Sequence, residues 1–171
     1  GEFVSGDQAS NYTGGMGGDR KVSLGLHEDE VKLLQEVGPV NEKSAAVLVG
    51  GNMIMMTEWY DKVNAVIMAY YPGMEGGTAL AEIIYGDVNP SGKLPYVVPY
   101  SEDDLPHVDW EATDQYYEYY HGYTRLEKNG VKPLVPYGFG LSYTTFDITD
   151  PKAVVDGDKL KVTVNVKNTG A

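Results

Sequence analysis

Residues 65–95 constrain the fold of this chain more than any other segment. Residues 65–70, Ala-Val-Ile-Met-Ala-Tyr, form an apolar run with no polar alternation, the pattern of a strand buried on both faces of a parallel sheet. The segment Tyr70-Tyr71-Pro72-Gly73-Met74-Glu75-Gly76-Gly77 follows, and the spacing predicts a helix over 75–85 that turns Ala79, Leu80, Ile83 and Ile84 toward the sheet, with Gly86 as its cap. Then Gly86-Asp87-Val88-Asn89-Pro90-Ser91-Gly92-Lys93-Leu94-Pro95 leads into a short strand over 94–98. Pro95 and Pro99 bracket that strand, which places it near a sheet edge because proline donates no ladder hydrogen bond.

Upstream, residues 44–50 repeat the unbroken apolar pattern, and 56–63 reads as a short helix between the two runs. Strand, helix, strand, helix, strand predicts a layered α/β sandwich with a mostly parallel sheet and right-handed crossovers. A further helix is expected over 28–37, with Val31, Leu34 and Val37 on one face and Glu30, Lys32 and Glu36 in water; Gly38-Pro39 ends it. Residues 1–26 are rich in Gly, Ser, Asp and Asn without sustained periodicity, and read as a long loop of the functional kind. Residues 109–123 form an aromatic surface loop carrying five tyrosines. From 159 to 168 the chain alternates: Leu160, Val162, Val164 and Val166 point one way, Lys161, Thr163, Asn165 and Lys167 the other. That is an antiparallel strand with one wet face.

With 171 residues the chain has room for one domain with a core and the beginning of another. Its net charge of −12 argues against nucleic acid as a partner, because phosphate-backbone binding draws on clustered Lys and Arg. A neutral ligand fits better. The absence of Cys excludes a disulfide framework and thiolate metal sites. No apolar run approaches the roughly 20 residues that span a bilayer, so no membrane partner is expected, and the compartment stays open.

Three segments together resemble one family. The stretch from Tyr70 to Pro95, Gly18-Asp19-Arg20 upstream, and Pro136-Tyr137-Gly138-Phe139-Gly140-Leu141-Ser142-Tyr143-Thr144-Thr145-Phe146 downstream are similar to the signature of the second, C-terminal domain of family-three glycoside hydrolases, the β-glucosidase and β-xylosidase group. The resemblance implies that residues 1–146 are that α/β sandwich domain, with 1–26 as its active-site loop. Residues 147–171 then resemble the incomplete beginning of a fibronectin type III-like domain, a truncated β-sandwich start, since such sandwiches need about seven strands. It further implies a retaining, exo-acting β-glycosidase without cofactor or metal, a β-glucoside or oligosaccharide as substrate, a (β/α)8-type barrel of the same enzyme as partner, and homo-oligomers as an open option. The isolated chain is expected to be inactive.

Retaining glycosidases use two carboxyl groups about 5 Å apart, one attacking the anomeric carbon and the other protonating the leaving oxygen and later activating water. In the family the nucleophile is an Asp on the barrel and the acid/base is a Glu on a loop of the second domain. Gly1-Glu2-Phe3-Val4 leads here to Gly18-Asp19-Arg20, so the resemblance makes Glu2 the acid/base candidate. Phe3 would line the aglycone side by stacking on a sugar face; the rival reading is a hydrophobic anchor. A shorter version of the loop places the acid four residues before the Arg, where this chain has Met16, which cannot transfer a proton.

Other residues have structural readings. Asp19 and Arg20 would hold the loop through charge-assisted bonds, and Glu75 would sit in the first turn of a helix, where its charge favours the dipole. Asp87, Asn89 and Ser91 are expected to bond the backbone of their turn. Tyr116, Tyr117, Tyr119, Tyr120 and Tyr123 suit sugar stacking or an interface, with packing of the loop as the simpler alternative. His27, His107 and His121 show no metal-ligand spacing. Two other readings stay open: a non-catalytic carbohydrate-binding or assembly module of the same fold, and a β-xylosidase, N-acetylhexosaminidase or phosphorylase relative.

Overall fold

The computed structural model describes residues 23–109 and 112–170. They form two compact units: one takes in residues up to Leu80 together with Lys93–Phe139, the other Ala81–Gly92 and the chain from Gly140 onward. Among the described residues no helix is long and apolar enough to cross a membrane.

The first unit begins with helix α1 (Glu28–Val37). Three acids, Glu28, Asp29 and Glu30, occupy its first turn, where the helix dipole favours negative charge. The Glu30 carboxylate also accepts a hydrogen bond from the His27 N–H at 2.9 Å, occupying an otherwise free donor at the helix start. Val31 is the residue this helix buries. Gly38-Pro39 ends it, as expected, in a single 3-10 turn. Gly38 is required there by close approach: a Cβ would lie 2.4 Å from the Lys62 carbonyl oxygen.

Strands β1 (Ala45–Leu48) and β2 (Ala65–Met68) pair in parallel, Ala45 opposite Ala65 and Leu48 opposite Met68. The pairing continues past both strands through Ala69 N–H to Leu48 C=O (2.8 Å) and Gly50 N–H to Tyr70 C=O (3.2 Å). Parallel strands cannot be joined by a tight turn, which is why a long crossover separates them.

That crossover corrects the helix expected over 56–63: only one 3-10 turn forms, Tyr60–Lys62. The cause is tertiary. Trp59 is fully buried, and Thr57 spends its hydroxyl on the Tyr100 carbonyl at 2.9 Å. Around them the core is completed by Val31, Ala46, Leu48, Met53, Met56, Val98 and Val135.

The strand expected over 94–98 also needs correction. Leu94 exchanges hydrogen bonds with Phe139 and Gly138 (both 2.9 Å), and Val98 forms an isolated antiparallel bridge with Val135. Pro95 lacks a donor between these points and Pro99 lacks one beyond them, so two contacts form without a continuous strand. Helix α3 (Gly122–Asn129) then buries Leu126 and stops at Gly130, whose φ of 68° is the left-handed conformation that ends many helices.

Helix α2 (Gly76–Tyr85) follows the diagnostic turn. Leu80 and Ile83 are half-buried, whereas Ala79 and Ile84 are exposed, contrary to the single inward face expected. Its sequence is apolar nearly all round, so periodicity does not select a face. In the second unit, β3 (Phe146–Asp156) and β4 (Lys159–Asn168) form an antiparallel hairpin closed by Gly157-Asp158, with Gly157 at φ 63°. The register slips between Thr149 and Lys152, where Asp150 adopts φ 52° and accepts a hydrogen bond from Asn165 Nδ2 at 2.9 Å. Leu160, Val162 and Val166 lie opposite Val155, Ala153 and Ile148, on the face expected, and both faces of the hairpin are exposed.

Candidate functional site

Glu2 and Phe3 lie outside the described residues, as do Met16, Asp19 and Arg20. The structure does describe residues 23–26. At Leu24 both backbone groups are taken: the N–H donates to Glu102 Oε1 at 2.8 Å, and the C=O accepts from the Met55 N–H at 3.0 Å. Ser23 Oγ donates to the same Glu102 oxygen at 2.7 Å, and Gly25 forms a parallel bridge with Met55. The carboxylate thus gathers two donors from a segment 78 and 79 residues away. Sequence reasoning missed Glu102, because Ser101-Glu102-Asp103-Asp104 reads locally as nothing more than an acidic turn.

The diagnostic segment lies at the C-terminal ends of β1 and β2, the end at which open parallel sheets bind ligands. Tyr70 holds φ 53° there, a conformation costly for any residue but glycine, and Gly73 follows at φ 69°. Gly76 packs over Pro72, where a Cβ would come within 2.6 Å of Cγ. The order Pro-Gly-x-x-Gly is therefore a packing requirement. Tyr96 meets Tyr70 edge-on at 6.4 Å, and burial, with the neighbouring Tyr70 phenol, pushes the Tyr96 phenol well above its ordinary range. Glu75 is exposed at the residue before α2, and its carbonyl accepts from the Ala79 N–H at 2.9 Å.

In the second unit, Asn89 joins the turn after α2 to Ser142 and Tyr143 of the downstream diagnostic segment. Its Nδ2 donates to Ser142 Oγ at 2.9 Å, and its Oδ1 accepts from Ser142 Oγ at 3.1 Å and from the Tyr143 N–H at 2.7 Å. Tyr143 OH donates to the Ile83 carbonyl at 2.7 Å, and Ser91 Oγ to the Asn89 carbonyl at 3.2 Å. Asn89 and Ser91 are architecture, as their turn position implied.

A cavity of about 590 Å³ opens beside β1, with Leu24, Leu26, Leu34 and Tyr71 in its wall. Among the described residues of that wall the carboxylate is Glu30, already engaged by the His27 N–H. Burial alone would push the Glu30 carboxyl up, but that hydrogen bond opposes it and the group sits below its ordinary 4.5. Three of the five tyrosines engage neighbours: Tyr119 with Tyr120 at 5.2 Å, Tyr123 with Tyr137 at 4.8 Å, and Tyr120 under Lys128 Nζ at 4.3 Å; Tyr116 and Tyr117 are exposed. Among the described residues no group of three His or carboxylate side chains is placed to hold a metal ion.

Parallel strands with a punctuated turn at their C-terminal ends give the first unit a mixed α/β fold, and the second unit carries an antiparallel hairpin. The chain belongs to glycosyl hydrolase family 3: the profile of that family's C-terminal domain matches residues 3–143. It is 33% identical over 181 residues to beta-glucosidase BoGH3A of Bacteroides ovatus, an alignment covering 98% of this chain and 24% of the relative. With thermostable beta-glucosidase B of Acetivibrio thermocellus it shares 35% identity over 159 residues, covering 88% of this chain and 21% of the relative. The structure of beta-glucosidase 3B from Thermotoga neapolitana in complex with α-D-glucose superposes with a TM-score of 0.79 at 30% identity, over 91% of this chain and 24% of that one. The chain spans about a quarter of the length of these relatives.

Proposed function

We propose that this chain is the acid/base-bearing part of a retaining, exo-acting β-glycosidase, a β-glucosidase first of all. The observation that supports it is the family match over residues 3–143, joined to a loop with Glu2 before Gly18-Asp19-Arg20. In this reading an Asp on a barrel of the same enzyme attacks the anomeric carbon. The bond to the leaving oxygen breaks, and the Glu2 carboxyl gives that oxygen its proton. Glu2, now a carboxylate, then takes a proton from water as the water oxygen displaces the Asp and frees the sugar, returning both groups to their starting states. Phe3 stacks on the leaving sugar. Residues 1–146 form the sandwich domain and 147–171 open a fibronectin type III-like domain, whose further strands would cover the exposed apolar face of the hairpin. The isolated chain is inactive because it holds half of the catalytic pair.

Glu2→Gln in the full-length enzyme tests this. With a 2,4-dinitrophenyl β-glucoside, whose leaving group needs no proton, the first step should persist while breakdown of the glycosyl-enzyme slows by roughly 10²–10⁴-fold, giving a burst. Unchanged steady-state turnover without a burst would remove Glu2 from the mechanism. Parallel assays with aryl β-glucoside and β-xyloside, with and without phosphate, identify the sugar and separate hydrolysis from phosphorolysis.

A further inference from the structure

We infer that Glu102 is a positioning residue for the acid/base loop: its carboxylate holds the closing end of residues 1–26 in the conformation that proton transfer needs. This rests on the reading of that loop proposed above. The carboxylate is itself held in place. Ser101 Oγ caps the turn Glu102–Asp104 through the Asp103 N–H at 3.2 Å, and Leu105 N–H closes it onto the Glu102 carbonyl at 3.0 Å. On one side Thr57 Oγ1 donates to the Tyr100 carbonyl at 2.9 Å; on the other, Arg125 Nε of α3 donates to the Asp104 carbonyl at 3.0 Å. So the crossover holds the turn on one side and α3 on the other, through the Tyr100 and Asp104 carbonyls, and the Glu102 Oε1 between them accepts from Ser23 Oγ and the Leu24 N–H.

Glu102 Oε1 thus accepts two donors from a segment 78 and 79 residues away. Hydrogen bonds to a charged group are about twice as strong as neutral ones. They act three residues after Asp19-Arg20, the pair that the loop reading uses to hold the loop. Releasing them leaves Leu24 fixed on one side, through Met55, and lowers the fraction of molecules whose loop is competent. The observed rate falls with that fraction.

The test uses the full-length enzyme and a series of aryl β-glucosides with graded leaving groups. Glu102→Ala should lower kcat/KM by roughly 5–50-fold for the poorest leaving groups and by under about twofold for 2,4-dinitrophenolate, since two charge-assisted bonds are lost and, in the glycosylation step that kcat/KM reports, the loop's acid is needed only to protonate the leaving oxygen. Glu102→Gln keeps the accepting oxygen and should restore most of the loss, while Ser23→Ala, which removes one donor, should give a smaller loss of the same gradation. In a Glu2→Gln background Glu102→Ala should add nothing. An equal loss across all leaving groups, or no loss, would overturn the inference. A graded loss in Glu102→Ala alongside an ungraded Glu2→Gln would keep Glu102 as the loop's anchor and reject Glu2 as the acid.

Discussion

Replacing Asn89 by Ala should loosen the second unit without touching chemistry. Three hydrogen bonds run through its amide, at 2.9, 3.1 and 2.7 Å, two of them shared with Ser142 Oγ and one with the Tyr143 N–H. Neutral hydrogen bonds contribute about 1 kcal/mol each, and these lie where water can replace a partner, so the loss should come to about 2 kcal/mol. At about 1.4 kcal/mol per decade, that is roughly a 30-fold rise in the opening equilibrium. Hydrogen exchange of the full-length enzyme, read by mass spectrometry over the peptide holding Tyr143, measures it directly, because that amide is the donor to Asn89. Asn89→Asp, which keeps the acceptor and loses the Nδ2 donor, should give a smaller rise. Turnover of an aryl β-glucoside below melting should stay within about twofold of wild type. Unaltered exchange at Tyr143, or lost turnover with exchange unaltered, would refute the assignment of Asn89 to architecture.

Trp59→Ala should cost about 3–5 kcal/mol in urea unfolding, the range for a fully buried aromatic; Trp59→Phe should cost less than half as much, since the indole N–H has no acceptor among the described residues. Gly38→Ala should cost about 1–3 kcal/mol, because its Cβ meets backbone at Lys62 rather than a side chain able to swing away. Glu30 has a folded pKa below its unfolded value despite burial, so its contribution is present above the unfolded pKa and fades as pH falls through the folded one. Urea midpoints of wild type and Glu30→Gln should therefore differ at pH 7 and draw together toward pH 3; a gap widening with acidity would reverse that sign.

The parts of the fold legible in the sequence are those fixed by local pattern. Helix α1 carries its acids and its Gly38-Pro39 stop within a dozen residues, and the two apolar runs form the paired strands β1 and β2, although the burial on both faces that their pattern predicts is not met: β1 buries only Ala46 and Leu48, and β2 is at most half-buried. Strand β4 announced its alternation in the same way. Where tertiary contacts decide, the sequence is silent or misleading. Trp59 draws its segment out of a helix to fill the core, and the prolines around Val98 leave paired points without a strand. Helix α3 went unread because it is short and opens on Gly122 and Tyr123 after a run of tyrosines; Gly130 was its one local signal. Glu102 was illegible for a different reason. Its meaning lies in Ser23 and Leu24, and no spacing rule connects positions so far apart.

The division of labour between this chain and the rest of its enzyme is open to one decisive measurement. The full-length enzyme would be trapped with a 2-deoxy-2-fluoro-β-glucoside, which slows release of the glycosyl-enzyme, then digested and the labelled peptide sequenced by mass spectrometry. The account predicts the sugar on an Asp outside these 171 residues. A label on any carboxylate of this chain would contradict it.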